Sequence, residues 1–228
     1  VTSLRRRAAG RSRGDQRGLI KGCCLGMLLL LVAVGYSAYI IDRAVSGPDL
    51  GAAPRGPNHG NNELAIAVTL APQLAASLIV QPHAVVTLSE HDLTVLATQN
   101  NPKPAEYHNV SVRVRGGMLL VAADVGVGPF TPTAVGHVGM TFDDTSGQTR
   151  ISSQVTQIDL GQLSLPGWLK DRFVSQVMQS TALLPLFADG SALRSVLTDI
   201  ECLAVADEGV RIGVHRPGVT ADGSTCGF

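Results

Sequence analysis

Between Lys21 and Asp42 the chain runs for 20 residues without a formal charge, GCCLGMLLLLVAVGYSAYII. A helix rising about 1.5 Å per residue carries such a run across roughly 30 Å, the hydrocarbon thickness of a bilayer. Tyr36 and Tyr39 fall near its C-terminal end, where amphipathic rings favour the headgroup region. The unbroken apolar run beside a basic cluster reads as a membrane span rather than a buried core helix. Ser37-Ala38-Tyr39 and Ala44-Val45-Ser46 match a small-x-small cleavage site only in part, so the expectation is an uncleaved transmembrane helix over 22–41.

Beyond the span the pattern changes several times. Residues 42–62, rich in Gly, Pro and Asn, read as a linker holding the following domain off the bilayer. From Glu63 to Leu78 the apolar residues Leu64, Ala67, Leu70, Leu74 and Leu78 recur at helical spacing, interrupted by Pro72. His83–Leu88 is a short β-type run, and Ser89 followed by Asp92 is a capping box opening a helix with Leu93, Leu96 and Ala97 on its stripe. From Asn109 the period is two: Val110, Val112 and Val114 alternate with Ser111, Arg113 and Arg115, and Gly116-Gly117 turns the chain into a partner strand over 118–127. A second pair is expected at 133–142 and 149–160 around a turn at 143–147. Pro166 opens an amphipathic helix carrying Trp168, Leu169, Phe173 and Val174, and strands at 195–206 and 210–215 flank a turn at Asp207-Glu208-Gly209. The expected fold is α+β: a curved antiparallel sheet of about six strands packed on two or three helices over 63–216, with a C-terminal tail at 217–228.

Charge orients this arrangement. The chain is neutral overall, yet residues 1–21 hold seven of its 18 basic residues and one acid, while the part from Asp42 onward holds 11 bases and 17 acids. The basic flank places the N-terminus in the cytoplasm and the domain outside it. Nucleic acid is excluded as a partner of the acidic body, because phosphates demand a concentrated basic face. The first residue, Val1, fits a fragment or a bacterial alternative start codon. Cys23 and Cys24 precede the apolar run, unlike the acylated cysteine of a bacterial lipoprotein; they are candidates for palmitoylation or plain helix residues. Outside the span only Cys202 and Cys226 remain, either free or joined in a disulfide that an oxidising compartment would preserve.

Catalytic signatures are missing from the sequence. Ser89-Glu90-His91-Asp92 gathers an alcohol, two carboxylates and an imidazole, but adjacent residues on a helix start fan outward, so capping explains them. The histidines at 59, 83, 91, 108, 137 and 215 show no metal-ligand spacing, and no nucleophile elbow, P-loop or dinucleotide fingerprint is present. His137, Asp143 and Asp144 in the central hairpin are the candidates for an enzymatic reading, against which the acids serve equally as turn caps. Asn109-Val110-Ser111 is a glycosylation sequon with meaning only in a eukaryotic secretory route.

The basic N-terminus with its anchor, the run Val86-Thr87-Leu88-Ser89-Glu90-His91-Asp92-Leu93, and Asp159-Leu160-Gly161-Gln162-Leu163-Ser164-Leu165-Pro166 together resemble the YpmS-like family of single-pass bacterial envelope proteins. In the last segment Gly161 permits a tight exit from a strand, Leu163 and Leu165 plug the core, and Pro166 starts a helix. The resemblance covers roughly 84–216 and implies topology and location; the family has no established activity.

The expected function is therefore non-catalytic: an extracytoplasmic domain, anchored in the cell membrane, that binds a lipid or another apolar ligand and needs no cofactor or metal. Its groove would be lined by Leu119, Val121, Val138, Met140, Val155 and Ile158, covered by Trp168 and Phe173, although the same positions also serve as packed core. The alternative is a protein-interaction or scaffolding module of an envelope assembly, which calls for an exposed apolar patch or an unpaired strand edge.

Overall fold

The computed structural model describes residues 15–51, 53–101, 107–126, 129–143, 150–167 and 200–227, with side chains left undescribed at 15–28, 142–143 and 150–152. Two compact units divide the chain, Val1–Asp42 and Arg43–Phe228. Helix α1 runs Asp15–Val45, longer than the uncharged run within it, because Asp42 and Arg43 tolerate helix and the chain breaks only at Gly47-Pro48. Leu29, Leu30, Leu31, Val32, Val34 and Tyr36 are all exposed along it.

The second unit is α+β with antiparallel strands, but the expected single sheet is corrected to two. One has the order β1-β8-β7, from His83–Ser89, Gly209–His215 and Ile200–Ala206. The other has the order β2-β3-β4-β5-β6, from Tyr107–Arg115, Met118–Val125, Thr133–Asp143, Arg150–Leu160 and Leu163–Ser164. The hairpins lie where the alternation places them. The split arises because β1 pairs with β8, at the far end of the chain, rather than with β2. Helix α3 (Glu90–Gln99) stands between β1 and β2 in sequence and lies against β2.

Local chemistry accounts for two helix starts and one strand turn. Ser89 accepts from the Asp92 amide while Asp92 accepts from the Ser89 amide, closing the capping box of α3. Asn62 caps α2 (Glu63–Val80), which runs through Pro72 without ending. Gly161 takes φ +59°, the left-handed turn between β5 and β6. Leu163 and Leu165 are half-buried, and among the described residues neither joins a core cluster. The helix expected from Pro166 onward lies mostly outside the described residues.

Both sheets share one core. Ile66, Leu70 and Leu74 of α2, Val86 and Leu88 of β1, Leu93 and Leu96 of α3, Val112 and Val114 of β2, and Ile212 and Val214 of β8 form its centre. On the opposite face of the five-stranded sheet Leu120, Ala122 and Val135 make a small cluster covered by Leu50.

Leu50 belongs to the segment expected to be a loose linker, and this too is corrected: beyond α1, residues 46–62 are a strap tied to the domain. Arg115 donates to the Leu50 carbonyl at 3.1 Å, the Arg55 amide to Glu90 at 2.8 Å, Ser89 Oγ to the Pro57 carbonyl at 2.6 Å, and the His59 amide to Asp92 at 3.0 Å. Gly56 is required where the strap crosses β1, since a Cβ there would lie 2.7 Å from that of Ser89 at a φ of +89°. The C-terminal residues are not a free tail either. A 3-10 turn at Gly223–Cys226 is held by the Cys202–Cys226 disulfide and by Asp222, whose amide donates to Glu201 at 2.9 Å.

Candidate functional site

Helix α2 presents three distinct faces. Ile66, Ala67, Leu70 and Leu74 face the core, while Leu64, Val68, Ala75 and Ile79 form an exposed apolar stripe. Among the described residues α2 is also the one helix long and apolar enough to cross a membrane, though the core claims one side of it. Thr69, Gln73 and Ser77, spaced four apart, make a polar stripe between these faces. Gln73 and Ser77 wall an open cleft of about 330 Å³ whose other wall is β1 at Val85–Thr87 and whose floor is Leu70 and Leu74.

His59 also lines the cleft. Its Nδ1 lies 2.6 Å from Asp92 Oδ2, and Asp92, fully buried, also accepts from the amides of His59 and Ser89. An imidazole held this way through Nδ1 is oriented by its carboxylate, the arrangement used for general bases and for rigid binding surfaces alike. Glu208 stands in the same lining and is paired with Arg211.

Two further histidine–carboxylate pairs occur. His83 Nδ1 lies 2.8 Å from Glu201, which is buried beside the disulfide. Burial alone would raise the Glu201 carboxyl, but the Asp222 amide and the His83 imidazole outweigh it and hold the carboxyl below its ordinary value. His137 Nε2 lies 2.8 Å from Asp159, in a smaller hollow of about 210 Å³ lined also by Leu50 and Leu120. There too burial is outweighed, by hydrogen bonds from Gln157 and His137, so Asp159 is lowered. Among the described residues no three His, Cys, Asp or Glu side chains converge on a metal position.

Of the enzymatic candidates only the His137 side chain lies among the described residues. His137 pairs with Asp159 in the neighbouring strand; Asp143 sits at the far end of β4, and Asp144 lies outside the described residues. Glu90 and Asp92 do not fan into solvent: both are wholly buried, each meeting the strap. Of the expected groove, Leu119, Val138 and Ile158 are buried, and Val121, Met140 and Val155 pack against the core that contains Leu119 and Val138. Leu119, Val138 and Val155 form one row across three strands, a packed layer of side chains. Trp168 and Phe173 lie outside the described residues. Cys202 and Cys226 are bonded to each other.

No family model, curated protein or solved structure matches the chain. Its site is therefore defined by geometry alone. The cleft and His59 escaped the sequence because the strap has the composition of a linker. The one local signal was the pair of carboxylates at Glu90 and Asp92, an excess of acceptors for a single helix cap.

Proposed function

We propose that the chain is a single-pass protein of the cell envelope, with its N-terminus cytoplasmic, whose extracytoplasmic domain binds a partner without catalysis in the cleft between α2 and β1. The observation that carries this reading is the cleft itself: an open recess with an apolar floor, amide and hydroxyl groups on one wall and a strand edge on the other. The uncharged run, its basic flank and the exposed apolar side chains of α1 support the anchor. The Cys202–Cys226 bond supports an oxidising compartment for the domain. An apolar ligand would rest on Leu70 and Leu74, because they line the cleft while Leu119 and Val138 lie in the core cluster.

The test uses the full chain in its native membrane. A cysteine introduced at Asp207 should react with a membrane-impermeant maleimide from outside intact cells; protection there, with labelling only after lysis, overturns the orientation. A photoreactive residue at Gln73 should give an adduct that Ser77→Trp abolishes by filling the cleft. No adduct, or one indifferent to Ser77→Trp, overturns the cleft as the binding place.

A further inference from the structure

The outer edge of β1 faces the cleft, and its main-chain groups can be assigned by parity. The Arg216 amide donates to the Pro82 carbonyl at 2.9 Å, so in the β1–β8 register the even-numbered residues from Pro82 to Leu88 turn their backbone groups toward β8. His83, Val85, Thr87 and Ser89 turn theirs the other way. Ser89 agrees, because its amide leaves the sheet to reach Asp92 Oδ2 at 3.0 Å. Among the described residues nothing bonds the outward amides and carbonyls of Val85 and Thr87, and Val85 is 44% exposed.

We propose that this edge takes up an extended segment of a partner polypeptide as an added strand, seated between β1 and α2. The proposal rests on the cleft reading above and names its partner. Free strand edges are ordinarily blunted by Lys, Pro, a bulge or a cover. β1 carries none of the first three, and its register runs unshifted from His83 to Ser89. The edge of β2, by contrast, is closed by side chains of α3. An extended main chain offers donors and acceptors in register with the outward groups of both Val85 and Thr87. Alternate side chains of the added strand would meet Leu70 and Leu74, with Gln73 and Ser77 opposite its backbone. The acid excess of the body selects a neutral or basic segment over an acidic one. A second folded copy is disfavoured as occupant, since its own α2 walls the same edge.

The experiment pans a display library of random ten-residue peptides on the full chain in nanodiscs, then measures the selected peptides in solution. Expected are peptides with alternating apolar positions and few acids, whose affinity falls about tenfold or more in Val85→Pro. Proline removes the outward amide but leaves the β8 ladder intact, a substitution edges tolerate. N-methylation of the peptide should abolish binding at every second amide and spare the others. Uniform sensitivity to N-methylation, or binding unchanged in Val85→Pro, overturns strand addition. So does self-association of the chain lost in Val85→Pro, which makes a second copy the occupant. If no peptide is selected while the Gln73 adduct forms, strand addition fails and the cleft reading stands; if neither is seen, both fail.

Discussion

Glu90 Oε1 accepts the main-chain N–H of Val114 at 2.9 Å, joining the first turn of α3 to the edge of β2. One turn on, Thr94 Oγ1 accepts the Val112 amide at 3.0 Å. Four helical residues advance about 6 Å and two strand residues about 6.7 Å, so residues four apart on α3 meet residues two apart on β2. The helix side chains thereby act as a neighbouring strand would.

Thr94→Val preserves shape and removes the acceptor of the Val112 amide. It should lower unfolding free energy by about 1–2 kcal/mol, the cost of a partly buried donor left unpaired, and speed hydrogen exchange at Val112. Chemical denaturation with amide exchange reads both; unchanged exchange at Val112 would show that the bond has no role in closing the edge.

Glu90 also accepts from the Arg55 amide and from Arg115. Glu90→Ala removes the centre of a buried network and leaves Arg115 facing a void. A loss of about 3 kcal/mol or more is expected, with increased proteolysis of the strap near Arg55. Cleavage elsewhere with the strap intact would contradict the assigned role.

Acid should weaken the fold through Glu90, Glu201 and Asp159, all held below their ordinary values. For Glu90, burial raises the carboxyl, but the Val114 and Arg55 amides and Arg115 outweigh it. A depressed carboxylate contributes stability that is complete above its unfolded value, 4.5 for Glu and 3.8 for Asp, and is lost as pH falls through the folded value. Denaturation midpoints should be level from neutral pH to about 5 and decline below it. Glu201→Gln should be less stable at neutral pH and lose less on acidification; an equal acid slope in that variant would exclude Glu201 as a contributor.

Reduction of Cys202–Cys226 should cost about 3 kcal/mol, as expected for a loop of this span in the chain-entropy treatment, and release the C-terminal turn to proteolysis. Gly213→Ala probes the same corner, since its Cβ would fall 2.2 Å from Cys202 Sγ. It should lower the melting temperature in the oxidised protein through overpacking. A melting temperature equal to that of the native chain would show that the turn accommodates the methyl group.

Period-two alternation at Val110–Val114 and the Gly116-Gly117 turn were legible as a hairpin, and the Ser89–Asp92 box as a helix start. Both are local: each is set by residues a few positions apart. The strap was not legible, because Arg55 and His59 meet Glu90 and Asp92 only after the chain has folded back across them. Nor was the packed state of Leu119 and Val138, for an apolar alternation looks the same whether it lines a groove or fills a core.

By itself, then, the sequence determined the uncharged run and its basic flank, the position of the hairpins and the helix starts, since these follow from charge, periodicity and capping within short windows. Only the tertiary structure decided that there are two sheets, that residues 46–62 bind the domain, and that one edge of β1 is left open beside α2. Those outcomes depend on β1 meeting β8 across most of the chain, and pairing at that separation is set by the shared core rather than by any neighbouring residue.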